Sequence, residues 1–321
     1  MLRTDGERFL PWIEGPQIAY EHLGRYAFAS RLAAGKKVLD LASGEGYGTA
    51  LLAEVAREVT GVDISAEVVA HASAKYARDN LRYVQGAIAE VPIEGKHLFD
   101  VITCFEAIEH TEQHEEVMRE VKRLLKPEGL LLISTPNKAL CANKNNPFHV
   151  KELYFEEFQA LLGQSFRNLA FFGQKVVPVS SIFRLQGKAP CVNEDFIEKG
   201  EGSFRFVSTD SRKVLYFLAV ASDCGDVEQA GDAYLVDVSE QLLKIGAACL
   251  EAAINGQEQA RAELDRIYQS RGWKALCFYY RARDVLFPPG TKRRDVAKWF
   301  LRRLTGLAKL GRKRRDDVDL L

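Results

Sequence analysis

Along the first two-thirds of the chain, apolar residues fall into short unbroken runs separated by longer stretches in which they recur every three or four positions. The runs at 37–41 (KVLDL), 58–62 (EVTGV), 81–85 (LRYVQ), 100–104 (DVITC) and 129–134 (GLLLIS) are bounded by turn residues, as strands buried on both faces of a parallel sheet are. Helical spacing fills 48–57, 66–80 and about 115–125. The last helix is expected to stop at Lys126-Pro127-Glu128-Gly129, where proline removes a backbone donor and glycine loosens the chain. Strand and helix in alternation predict an α/β fold: a Rossmann-like, doubly wound sheet with helices on both faces.

Two further β-like runs, 168–177 and 213–221, flank a stretch from 178 to 212 with little periodicity. Two readings of that stretch stand: a surface loop, or a lid that covers a substrate. Beyond Gly225, residues Leu243, Gly246, Leu250, Ala253, Ala260, Leu264 and Ile267 recur at spacings of three, four and seven. This predicts a long helix or coiled-coil arm, through which a homo-oligomer would form. The expected organisation is a helical lead-in or cap over 1–35, an α/β domain over 36–222, and a helical extension over 223–321 that ends in a basic tail.

A length of 321 residues suits about two structural units. A composition 47% hydrophobic and 27% charged is that of a globular chain rather than a disordered one. Lys+Arg and Asp+Glu each total 44, so net charge points to no partner, but its distribution does. From Arg271 to Arg315 there are 15 Lys or Arg against Asp284 and Asp295 alone. Between Lys292 and Arg315, Val296, Trp299, Phe300, Leu304 and Leu307 share one helical face, while Lys298, Arg302 and Lys309 cluster on another. Such a helix is suited to lie on an anionic membrane surface; docking on the helical arm, on a partner enzyme or on nucleic acid are its other readings. The six cysteines are scattered without CxxC or zinc spacing, and no apolar run reaches the length of a signal or a membrane span. The expectation is a cytoplasmic chain, soluble or peripheral on the inner face of a membrane.

Chemistry concentrates after the first strand, in Asp40-Leu41-Ala42-Ser43-Gly44-Glu45-Gly46-Tyr47-Gly48. A glycine-rich turn opening a helix lets backbone approach a ligand closely and offers free N–H groups. Its glycines alternate rather than follow GxGxxG, and Asp40 ends the strand. A carboxylate there suits a ligand with a positive centre and an amino-acid end better than a pyrophosphate. Asp63 ends the second strand in GVDIS, where a carboxylate can accept from two hydroxyls.

VLDLASGEGYG and GVDIS resemble the class I S-adenosylmethionine-dependent methyltransferases, whose first motif reads VLDxGxGxG; Ala42 stands where the family has its first glycine. The resemblance implies S-adenosylmethionine as cofactor, held by Asp40, Ala42, Gly44, Gly46, Asp63 and Ile64. It also implies that Asp63 takes the ribose hydroxyls, that Ala87 and Ile88 of QGAI flank the adenine, and that Phe105 sits near the adenine or the transferable methyl. The segment from FDVITCFEAIEH to EVMREVKRLLKPEGLLLISTPN is similar to the fourth strand, its helix and the fifth strand of the same family. GERFLPWIEGPQIAYEHLGRYAFAS, STPNK and NPFHVKEL resemble methyltransferases of bacterial O-antigen and capsular polysaccharide biosynthesis. That implies O-methylation of a sugar hydroxyl on a surface glycan or its precursor; a glycosyltransferase is the partner enzyme among the alternative readings of the tail. Trp12, Tyr20 and Tyr26 then either stack on a sugar or pack over the cofactor cleft.

Methyl transfer needs the acceptor held in line and its proton removed. Glu106, Glu109 and His110 follow the fourth strand at i, i+3 and i+4, a spacing that puts them on one face of a helical turn, and His149 follows the fifth. Two Glu and two His form a mixed oxygen and nitrogen shell for Mg²⁺ or another divalent ion, which lowers a hydroxyl's pKa. The ExxEH pattern with a later His also resembles small-RNA 2′-O-methyltransferases and some ubiquinone-pathway O-methyltransferases. The competing reading makes Glu106 part of a helix start and His110 and His149 metal-free bases or structural groups. His114 is expected to be exposed. RNA 2′-O-methylation and a noncatalytic scaffold built on the same fold are the rival functions.

Overall fold

The computed structural model describes Leu2 and residues 8–11, 16–140, 146–177, 179, 196–199, 204–207, 212–238 and 240–296. The chain forms two compact units, Met1–Gly246 and Ala247–Leu321.

The first unit is built on a seven-stranded sheet. Its strands are β1 (Lys37–Leu41), β2 (Glu58–Asp63), β3 (Leu81–Gln85), β4 (Phe99–Phe105), β5 (Leu125–Pro136), β6 (Asn168–Gln174) and β9 (Tyr216–Ser222), in the order β3-β2-β1-β4-β5-β9-β6. The first five run parallel, and β9 lies antiparallel to both β5 and β6. Successive β5 residues feed opposite faces, as the pleat requires. Leu130 and Leu132 join one core with Tyr26, Phe28, Ala29 and Leu32 of helix α1 (Pro16–Ala33) and Leu52 of α2 (Tyr47–Leu52). Leu131 and Ile133 join the other with Val117, Val121 and Leu124 of α4 (His114–Leu124) and Phe158 and Leu162 of α5 (Phe155–Gly163). Helices on both faces give the doubly wound, Rossmann-like architecture. The strand order reverses between β1 and β4, so a crevice opens outside their carboxyl ends, the ligand site of open α/β sheets.

Helix α3 (Ala66–Lys75) begins at Ser65, whose hydroxyl accepts from the Val68 N–H. Helix α4 carries Glu115 and Glu116 in its first turn and Lys122 and Arg123 in its last, both signs matching the helix dipole. Its buried stripe begins with His114, which corrects the expected exposure: the ring is 5% exposed and its Nε2 lies 2.8 Å from the Ile108 carbonyl. A position three before Val117 and four before Met118 falls on the apolar face regardless of its polarity.

Three other expectations change. Helix α4 passes straight into β5, and Lys126–Gly129, expected as a turn, lies within that strand as an irregularity: Phe99 pairs with Leu125, but Val101 pairs with Leu130. The stretch 178–212 contains an antiparallel pair, β7 (Phe196–Lys199) and β8 (Phe204–Val207), whose four-residue strands are too short to stand out as periodicity. The helix expected after Gly225 begins at Gln241. Helix α6 (Gln241–Gln269) ends at Ser270, whose hydroxyl accepts from the Trp273 N–H and starts α7 (Arg271–Leu286). Most of the amphipathic tail, including Lys298, Trp299, Phe300, Arg302, Leu304, Leu307 and Lys309, lies outside the described residues, as does Trp12. Among the described residues no helix is long and apolar enough to cross a membrane.

Candidate active site

The loop from β1 into α2 adopts a left-handed backbone at alternate residues: φ is 57° at Ala42, 56° at Gly44 and 99° at Gly46. Ala42 occupies this conformation although it carries a Cβ, at a cost of about 1–2 kcal/mol. Gly46 has no such latitude. A Cβ there would lie 2.6 Å from that of Ala72 and 3.0 Å from the Tyr83 hydroxyl, which donates to the Gly46 carbonyl at 2.8 Å. At Gly44 the only atom of the described residues within 4 Å of such a Cβ is the Arg8 Cγ, at 3.9 Å, which leaves room for a ligand on this side of the loop.

Three carboxylates fix the loop. Asp63 ends β2 and accepts from the Gly44 N–H at 3.0 Å and the Ser65 N–H at 2.9 Å, bridging the loop to the start of α3. Asp40 is fully buried beneath it and accepts from Thr103 at 2.6 Å, Thr49 at 2.7 Å and the Tyr26 hydroxyl at 3.2 Å. Burial raises its pKa to about 6 against the opposing pull of those three hydroxyls. Glu45, also fully buried, accepts from the Nε2–H of His71 at 2.7 Å, from Lys75 at 2.9 Å and from the Tyr76 hydroxyl at 2.7 Å, tying the loop to α3 and the residue after it. Sequence reading passed over Glu45, because a loop glutamate looks solvated until the helix beside it is placed.

Along the crevice, Ile64 is 71% exposed beside Asp63, and Ala87 and Ile88 lie half-buried after β3. Phe105 is buried at the end of β4, its ring edge-on to Tyr26 at 5.3 Å. Tyr26 is thus spoken for by packing and by Asp40 rather than presented to a ligand, and Tyr20 is half-buried on α1.

The helical face expected for Glu106, Glu109 and His110 does not form. Glu106 has φ 50°, and only Ile108–His110 make a single 3₁₀ turn. Glu106 turns toward the sheet, where it accepts from the Ser134 hydroxyl at 2.6 Å and faces Arg25 at 3.5 Å. Glu109, His110 and His149 do converge, with one ligand atom of each within 4.8 Å of the others. The two imidazoles meet edge-to-face at 5.3 Å. His110 Nδ1 lies 2.9 Å from the Phe148 carbonyl, which can only accept, so Nδ1 carries the proton there. His149 Nδ1 lies 2.6 Å from the Glu152 carboxylate. Both rings are therefore oriented through Nδ1 by an outer oxygen, the arrangement that directs Nε2 toward an ion. The loop that brings His149 in is anchored by the Val150 and Lys151 N–H groups, which donate to the Glu109 carbonyl. The i, i+3 spacing of His149 and Glu152 was readable in the sequence; the position of Arg25 on α1 carried no such signal.

A strand-order reversal at the crevice, a left-handed glycine loop after β1 and a carboxylate at the end of β2 are the features expected from the resemblance to class I S-adenosylmethionine-dependent methyltransferases. Residues 39–133 match the family model described as a methyltransferase domain. A probable S-adenosylmethionine-dependent methyltransferase of Mycolicibacterium smegmatis is 36% identical over 172 residues, which cover 50% of this chain and 63% of that protein. The ubiquinone biosynthesis O-methyltransferase of Haemophilus ducreyi is 35% identical over 115 residues, 34% of this chain and 48% of that one. The chain thus spans less than two-thirds of the length of these curated relatives. Among solved structures, the YcgJ protein of Bacillus subtilis is similar with a TM-score of 0.42 and 26% identity, covering 47% of this chain and 70% of that one.

Proposed function

We propose that the protein transfers a methyl group from S-adenosylmethionine to a hydroxyl oxygen, and that the acceptor is a sugar hydroxyl of a bacterial surface glycan or its precursor. The observation that carries O-methylation is the convergence of Glu109, His110 and His149 beside the carboxyl ends of β4 and β5, within the same crevice as the glycine loop. The name of the ubiquinone biosynthesis relatives supports an oxygen acceptor; the glycan rests on the resemblance of the N-terminal segment and NPFHVKEL.

The residues fit the cofactor. The open side of Gly44 admits its amino-acid end to backbone N–H groups, and Asp63 stands where ribose hydroxyls would be received. When bound, S-adenosylmethionine supplies a methyl on an already activated sulfonium. The chain's task is then to align the acceptor and accept its proton. The donor set of one carboxylate and two imidazoles, each ring backed by an outer oxygen, also fits a divalent ion such as Mg²⁺. Such an ion would be held by Glu109, His110 and His149 and would lower the pKa of the hydroxyl. Without one, His110 or His149 acts as the base. Glu106 stands apart from the three, turned to Ser134 and Arg25.

The reading includes a cytoplasmic enzyme, contact of the basic tail with the membrane or with a glycosyltransferase, and pairing of two copies through α6. The test is transfer of labelled methyl from S-adenosylmethionine to a panel of glycans and lipid-linked sugars, with and without Mg²⁺. Incorporation into a glycan, lost in Asp63→Ala, supports the proposal. Cofactor binding without transfer to any glycan refutes the acceptor and favours the scaffold reading; transfer to RNA instead favours the 2′-O rival.

A further inference from the structure

Arg25 of α1 is among the largest side chains fully enclosed by the protein, with 1% of its side chain exposed. Its Nε donates to the Gln174 side chain at 3.0 Å, and its guanidinium lies 4.7 Å over the Tyr216 ring. The remaining two nitrogens, Nη1 and Nη2, are buried without a hydrogen-bond partner among the described residues, and Nη1 faces the Glu106 carboxylate at 3.5 Å. A buried guanidinium left with unused donors is costly, so its position calls for an acceptor that comes from outside the described residues. Its surroundings place it in the crevice. Glu106 follows β4, Ser134 lies in the last three residues of β5, Gln174 ends β6 and Tyr216 begins the antiparallel β9, so all four lie at the same edge of the sheet. The next residue, Tyr26, reaches Asp40 beneath the cofactor loop, so α1 carries Arg25 immediately beside that site.

The anion facing Arg25 decides what the pair can recognise. Glu106 Oε1 is 3.5 Å from Nη1 but is not hydrogen-bonded to it; its bond is to the Ser134 hydroxyl. Glu21, one turn earlier on α1, adds a second carboxylate nearby, where it accepts from the Tyr216 hydroxyl at 2.8 Å. A carboxylate or phosphate entering beside these groups would be repelled by Glu106, which offsets its attraction to Arg25. A guanidinium only donates and a carboxylate only accepts, so the group that complements both at once is a hydroxyl, which accepts from the first and donates to the second. Neither Nη1 nor Nη2 has a hydrogen-bond acceptor among the described residues, so two adjacent hydroxyls match the guanidinium better than one. Glu106 is the accessible member of the pair, with 14% of its side chain exposed, and it also has the strained left-handed backbone that functional sites hold.

We propose that Arg25 and Glu106 form the acceptor-recognition element of this site, binding a ligand with vicinal hydroxyls and discriminating against acidic ones. This rests on the methyltransferase reading and narrows its acceptor to a neutral diol or polyol. The test uses the full chain saturated with S-adenosylhomocysteine and titrated with methyl α-mannoside, a neutral polyol, and with benzoate, a carboxylate, followed by NMR or calorimetry. Wild type should bind the mannoside saturably and benzoate not at all. Arg25→Met should weaken mannoside binding by about tenfold or more, as loss of a charged hydrogen-bond partner does. Should Arg25→Met fail to fold, Arg25→Lys keeps the charge without the fork and should show the same loss. Preference for benzoate, no saturable mannoside binding by wild type, or an unchanged affinity in the folded variant overturns the proposal. Binding of S-adenosylhomocysteine itself is measured first, and its absence defeats the methyltransferase reading rather than this one.

Discussion

Asp63 holds the backbone N–H of Gly44 at 3.0 Å, so the residue proposed to receive the ribose also shapes the glycine loop. Its other oxygen takes the Ser65 N–H and aligns the start of α3. Hydrogen bonds to a charged group each contribute about 1.5–3 kcal/mol. Asp63→Ala should therefore reduce S-adenosylmethionine affinity by at least about tenfold and lower the melting temperature as well. Calorimetric titration alongside thermal unfolding separates the two effects. Unchanged affinity in a destabilised variant would confine Asp63 to a structural role.

Ala42 stores strain that glycine would not. With φ at 57°, Ala42→Gly removes a left-handed penalty of about 1–2 kcal/mol while adding about 0.5–1 kcal/mol of unfolded-chain entropy. The variant should be as stable as wild type or more so, with a melting temperature higher by up to a few degrees. Ala42→Val, β-branched in the same conformation, should be clearly less stable. Gly46→Ala should also be severely destabilised, because its Cβ would press within 2.6 Å of Ala72. Thermal unfolding of the three variants measures the order, and an unstable Ala42→Gly would contradict this account.

The strands of the parallel sheet were readable because strands covered on both faces must be apolar throughout, and KVLDL, EVTGV and DVITC show that directly. The glycine loop was readable for a related reason: left-handed backbone selects small residues, and Ala42, Gly44 and Gly46 occupy alternate positions. What escaped depended on contacts distant in sequence. No local pattern reveals that β9 slots between β5 and β6. The helical spacing of Glu106 with Glu109 misled because Ser134 and Arg25, 28 and 81 residues away, draw Glu106 out of the turn. Polarity misled at His114, where the helix phase set by Val117, Val121 and Leu124 decided burial.

Asp40 should leave a signature in the pH dependence of stability. Burial, outweighing three hydroxyl donors, raises its folded pKa from 3.8 to about 6. Between these values the folded state binds more protons than the unfolded chain, so stability contributed here is fully present below about pH 4 and is lost as pH rises through 6. Two units correspond to roughly 3 kcal/mol, an order-of-magnitude figure. Asp40→Asn cannot ionise, so the difference in unfolding free energy between wild type and variant should shift in the variant's favour from pH 4 to 7. Urea unfolding across that range measures it; a difference independent of pH would show that Asp40 is not raised.

Ion binding at Glu109, His110 and His149 should depend on a residue that does not itself join the three. Glu152 orients His149 through Nδ1 at 2.6 Å, and outer partners of this kind are worth about 10- to 100-fold in metal affinity. Mn²⁺ titration followed by electron paramagnetic resonance should show saturable binding to wild type, loss in Glu109→Gln and His149→Ala, and weakening within that range in Glu152→Gln. Glu106→Gln should bind Mn²⁺ like wild type, because Glu106 is turned to Ser134 and Arg25. Removing divalent ions with a chelator should then abolish methyl transfer, and Mg²⁺ or Mn²⁺ should restore it. Transfer that survives the chelator, with no Mn²⁺ bound, would leave the two histidines as the base, and transfer should then fall in His110→Gln or His149→Gln at unchanged S-adenosylmethionine affinity.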